Sequence, residues 1–171
     1  AIIFFGIGGS QLGPELIQQT LCYKASKKII FITGSDPIEA QQKTKGLNLA
    51  ECGFILASKS FSTIETLRSF EDVTKKKHLE DTYAITSNRA GAETIGVPSK
   101  NILVFSDATG GRFSIWSPIN LLLLIQMGEK ATKEFNLGGN EADENVLNSR
   151  SLEDIGSIYM SAQDIFHNNI L

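Results

Sequence analysis

Five short apolar runs recur along the chain: AIIFF (1–5), KIIFIT (28–33), GFILA (53–57), TYAIT (82–86) and NILVF (101–105). Each has the length and β-branched content of a strand buried on both faces, without the strict alternation of a half-exposed strand. Stretches with helical spacing lie between them, at about 11–23, 37–46, 62–80 and 88–95. Beyond the fifth run the pattern is helical, over roughly 114–127, 129–135, 140–147 and 151–171. This alternation predicts an α/β fold, a three-layer sandwich in which right-handed crossovers build a five-stranded parallel sheet flanked by helices.

The chain of 171 residues is long enough for one domain with a full core and no disulfide or metal staple. Residues 1–171 read as a single domain without internal repeats or an obvious linker. The ends are unusual. The chain opens on AIIFF, and it closes inside a helical pattern in which Leu152, Ile155, Ile158, Tyr159, Ala162, Ile165, Phe166 and Ile170 share one face. They read as cut ends, with 151–171 expected to be a C-terminal helix leading into a second domain.

Charge and cysteines narrow the function classes. A net charge of −3 argues against a nucleic-acid surface. The one basic run, Lys75–Lys77, is flanked by Glu71, Asp72, Glu80 and Asp81 and reads as a solvated helix face. Cys22 and Cys52 form no CxxC pair, which points to reduced thiols in a cytoplasmic protein. With His78 and His167 the only histidines, no metal-ligand spacing exists. The run at 119–127 is too short to span a bilayer, so no membrane partner is expected.

Ligands of parallel α/β sheets bind outside the carboxyl ends of the strands. Three polar turns are predicted there: GIGGS (6–10) after the first strand, SKSFST (58–63) after the third and DATGGR (107–112) after the fifth. The first fits a dinucleotide fingerprint poorly, because GxGxxG would need glycine at Gln11. It serves as a tight turn, or as a place where Gly8, Gly9 and Ser10 let a polar ligand approach backbone N–H groups. In the second, Ser62 and Glu65 make an S-x-x-E capping box, which leaves Ser58, Lys59, Ser60 and Thr63 unexplained. Hydroxyls, a cation and a helix N-terminus together suit a phosphate. In the third, Arg112 holds an anion or stabilises an oxyanion, or else pairs with Asp107 at the surface. WSP (116–118) reads as the start of the next helix.

GIGGSQLGP, SKSFSTIET and DATGGRFSIWSPIN, in this order, closely resemble the first sugar-isomerase (SIS) domain of the glucose-6-phosphate isomerase family. The similarity extends to GGNEADENVL and FHNN near the end. The resemblance implies interconversion of glucose 6-phosphate and fructose 6-phosphate through a cis-enediolate, without a cofactor, by a homodimeric full-length enzyme. It also implies that Ser58, Ser60 and Thr63 hold the phosphate, with Lys59 adding backbone contact and charge. Gly9 and Ser10 would line the sugar, Gly111 would belong to the same substrate- and phosphate-binding set, and Arg112 would stabilise the intermediate. Thr109 and Asn145 depart from the family's usual residues. The family's base is a glutamate in a G-E-x-G turn, with a histidine from the other subunit and a lysine near the C-terminus. No position in 1–171 matches them, and Glu129, Glu134, Glu141, Glu144 and Glu153 sit in surface-like helical contexts. A chain without the base is expected to bind the phosphosugar but not to isomerise it. The alternative is a non-catalytic phosphosugar-binding SIS regulatory module.

Overall fold

The computed structural model describes residues 1–22, 25 and 27–148, apart from the Arg112 side chain. The helix expected over 151–171 therefore lies outside the described residues. The chain divides into two compact units, Ala1–Ala131 and Thr132–Leu171.

The first unit holds the five expected strands: β1 (Ile2–Phe5), β2 (Ile29–Ile32), β3 (Gly53–Ala57), β4 (Thr82–Thr86) and β5 (Ile102–Val104). All pair in parallel, in the order β2-β1-β3-β4-β5. Helices α1 (Gly9–Thr20), α2 (Pro37–Thr44), α3 (Ile64–Thr74) and α4 (Arg89–Thr94) alternate with them. Ile2 lies beside both Ile29 and Gly53, so β1 is flanked on either side.

The apolar runs are continuous because each strand feeds two cores. Ile3 and Phe5 join Phe54, Leu56 and Ala84 in a cluster with Ala40 of α2, Phe70 of α3 and Ala92 of α4. Phe4 joins Ile55, Ala57 and Ile85 in the opposite cluster with Ile119 and Leu122. Fully burying a side chain of this size contributes about 1.5–3 kcal/mol, so the two layers together supply most of the driving force. Helix α1 lies with the segment after β5, where Gln126 Nε2 donates to Gln18 Oε1 at 3.1 Å.

Several boundaries differ from those expected. Helix α3 ends at Thr74, and Lys75, Lys76 and His78 take positive φ values of 52°, 58° and 65°. The basic run thus sits past the helix end rather than on a helix face, where cations complement the exposed carbonyls. Short 3-10 turns precede β3, β4 and β5, at Leu49–Glu51, Leu79–Asp81 and Ser99–Asn101. After β5 the chain makes 3-10 turns at Gly111–Trp116 and Pro118–Asn120, then enters α5 (Leu121–Asn148). Gly128, at φ 81°, breaks the helical backbone inside α5. Cys22 and Cys52 are buried free thiols, and burial pushes the Cys22 thiol up.

Candidate functional site

The strand order reverses direction between β1 and β3: the chain steps outward to β2, then crosses back to the other side of β1. Loops leaving adjacent strands at such a point diverge to opposite faces, and a crevice opens between them. A cavity of about 350 Å³ occupies that place. Ile7, Gly9 and Ser10 line it from the turn after β1, Ser58, Lys59, Ser60 and Thr63 from the turn after β3, and Asp107, Gly110 and Gly111 from the turn after β5.

The turn after β1 enters α1 through Gly8, at φ 54°. Its backbone suits a residue without Cβ. Pro14, inside α1, lacks the N–H that would bond the Ser10 carbonyl.

The turn after β3 determines the chemistry. Thr63, not Ser62, is the N-cap of α3, and no side chain caps the helix. The expected capping box therefore does not form: Ser62 instead donates from Oγ to Ser60 Oγ at 2.7 Å and from N–H to the same oxygen at 3.3 Å. Ser62 cannot cap because it lies one residue too early for its oxygen to reach the helical N–H groups. Ser58 Oγ donates to Thr63 Oγ1 at 3.1 Å, and Ser58 is buried. An uncapped helix start carries partial positive charge and free N–H donors, and here it faces a cluster of hydroxyls.

Lys59 is anchored at both ends. Its carbonyl accepts from Ser87 N–H at 3.0 Å, Thr86 Oγ1 at 2.8 Å and Ser87 Oγ at 3.0 Å. Its ammonium donates to the Asp107 carbonyl, tying the turn after β3 to the turn after β5. The latter turn reaches back across the sheet edge, and Gly111, at φ 55°, packs against Gly9. Ser114 Oγ donates to the Gly111 carbonyl and steadies it.

All seven residues expected to bind ligand, Gly9, Ser10, Ser58, Lys59, Ser60, Thr63 and Gly111, thus meet around one cavity. Arg112 follows Gly111 directly in the 3-10 turn; its side chain, and hence the Asp107 pairing, lies outside the description. The sequence reading missed the hydroxyls of Thr66, Ser87 and Ser114, which also line the cavity. The strand-end position of Ser87 was a usable signal, whereas Ser114 sits inside a run read as helix. Among the described residues no cluster of His, Cys, Asp or Glu could hold a metal ion, and no helix is long and apolar enough to cross a membrane.

A family model described as phosphoglucose isomerase matches residues 1–171. The chain belongs to the phosphoglucose isomerase family. The glucose-6-phosphate isomerase of Stutzerimonas stutzeri (strain A1501) is 30% identical over 179 residues, covering 98% of this chain and 32% of that protein. That of Buchnera aphidicola subsp. Cinara cedri (strain Cc) is 32% identical over 178 residues, covering 98% of this chain and 32% of that protein. A crystal structure of a glucose-6-phosphate isomerase from Chlamydia trachomatis superposes with a TM-score of 0.71 at 28% identity, covering 86% of this chain and 30% of that one. The chain spans about a third of the length of these curated family members.

Proposed function

We propose that this chain is the phosphosugar-binding SIS domain of a cytoplasmic glucose-6-phosphate isomerase. In this reading the substrate phosphate sits at the start of α3, taking hydrogen bonds from Ser58, Ser60, Thr63 and the free helical N–H groups. Gly9, Ser10 and Gly111 line the sugar. Arg112, always protonated, stabilises the cis-enediolate that forms as a proton moves between the two carbons. Lys59 contributes through its backbone and by holding the turn after β5. The complete enzyme acts as a homodimer without a cofactor.

The observation that carries this reading is the uncapped N-terminus of α3 opening onto a cavity ringed by Ser58, Ser60 and Thr63. A structural turn would have used one of these hydroxyls as a cap. Residues 1–171 are proposed to bind without turnover. Asp107 is the one carboxylic acid among the described residues lining the cavity, and it matches no base of the family. The same observation favours the second reading, a binding module without catalysis.

Two measurements test the proposal. Fructose 6-phosphate titrated into residues 1–171 should shift the NMR resonances of 58–63 with millimolar affinity, since much of the pocket is missing and water competes. A coupled assay should show isomerase turnover by the complete protein and none by 1–171. Absent shifts at 58–63 defeat the phosphate site, and a complete protein that binds but never turns over leaves the binding module.

A further inference from the structure

The turn from Ser58 to Thr63 does not hold its shape by itself. Phe61, at its middle, has φ 53°, a backbone region that bulky L-residues seldom adopt. Its ring is buried in the core cluster beneath α3 and α4. Such a conformation persists only where the surroundings impose it. The surroundings here come from the next strand. Asn88, the first residue outside α4, donates from Nδ2 to the Ser60 carbonyl at 2.9 Å, directly before the strained residue. The same amide's Oδ1 accepts the Gly91 N–H at 3.0 Å and caps α4. The Asn88 N–H in turn donates to Thr86 Oγ1 at 2.9 Å, the hydroxyl that binds the Lys59 carbonyl. Gly91 leaves room for the arrangement: a Cβ there would lie 2.9 Å from Asn88 Nδ2 and 3.1 Å from Phe61 Cβ.

We propose that Asn88 is a positioning residue for the phosphate turn, its amide setting the geometry in which Ser58, Ser60 and Thr63 meet. It touches no ligand. One end of the amide is fixed by α4 and the other fixes Ser60, so the turn is referenced to a rigid helix rather than free to relax at Phe61. This inference rests on the reading of 58–63 as a phosphate site. A serine at 88 keeps a neutral cap acceptor for the Gly91 N–H but is too short to reach the Ser60 carbonyl, whereas alanine removes both bonds.

The experiment compares the parent, Asn88→Ser and Asn88→Ala in the complete protein. It measures inorganic phosphate binding, the unfolding midpoint and amide exchange at residues 60–62. Asn88→Ser should weaken phosphate binding about tenfold, a change of about 1.4 kcal/mol, with an unfolding midpoint close to the parent's. It should also raise KM for the phosphosugar with little change in kcat, and speed exchange at Phe61 and Ser62. Asn88→Ala should show the same binding loss together with a lower midpoint, because α4 loses its cap. A parent that binds phosphate and an Asn88→Ser variant that binds it equally well overturn the inference alone. A parent that binds no phosphate overturns the phosphate reading and this inference with it.

Discussion

Gly9 and Gly111 meet so closely that a Cβ built on Gly9 would lie 2.5 Å from the Gly111 carbonyl oxygen. One opens α1 beside β1, and the other begins the 3-10 turn after β5, two strands beyond β3. This contact exists only because Gly9 has no side chain, whereas Gly111, whose Cβ would meet nothing within 4 Å, is favoured as glycine by its φ of 55°. Gly9→Ala should force the two turns apart, costing about 1–3 kcal/mol of stability as overpacked sites do. Phosphosugar affinity should fall as well. Denaturant unfolding and a binding titration check both, and a variant with parental values would show that the contact is dispensable.

If the proposed isomerase activity holds, Arg112→Ala in the complete protein should lower kcat about 100- to 1,000-fold, the usual loss of a preorganised donor, with a smaller rise in KM. Steady-state kinetics decides the matter. An unchanged kcat would return Arg112 to a surface role.

Ser58→Ala combined with Thr63→Ala should weaken phosphate binding by on the order of 100-fold, since each hydrogen bond to a charged group contributes about 1.5–3 kcal/mol. The fold should survive, because neither side chain caps α3 and the two hydroxyls chiefly bond each other. Circular dichroism and a phosphate titration on the same material separate the two effects. Retained affinity would move the phosphate elsewhere.

Thr66 offers a stabilising change. Thr20, Thr44, Thr74 and Thr94 each donate to the carbonyl four residues back. Thr66 is the third residue of α3, so the corresponding carbonyl, that of Ser62, lies outside the helix. Its Oγ1 is buried with no hydrogen-bond partner. Thr66→Val should therefore raise the stability of the unliganded chain by about 1 kcal/mol, or about 2–4 °C in Tm for a chain of this size. Because Thr66 also lines the cavity, a phosphate titration on the same variant reads whether its hydroxyl reaches the ligand. A destabilised variant would reveal a partner for that hydroxyl.

Much of this was legible in the residues. The five strands were recognisable because a strand buried on both faces must be apolar throughout, and AIIFF or GFILA admits few other readings. The three turns were recognisable because glycine and hydroxyl residues have narrow structural uses at strand ends. Helix termini were less so. Ser62 and Glu65 satisfy the capping-box pattern, yet the turn at Phe61 places Thr63 at the cap position. Whether a hydroxyl caps a helix depends on a backbone angle that the pattern does not encode.

The sequence by itself determined which segments are strands, which turns carry polar chemistry and that those turns share one rim. These follow from local composition and from the handedness of crossovers, both properties of short stretches. Only the tertiary structure decided that β1 lies between β2 and β3, that the turn after β5 returns to touch Gly9, and that the Lys59 ammonium is held by Asp107. The reason is physical. Backbone hydrogen bonds between parallel strands are alike for every apolar partner, so strand order is chosen by how whole helices pack on the two faces.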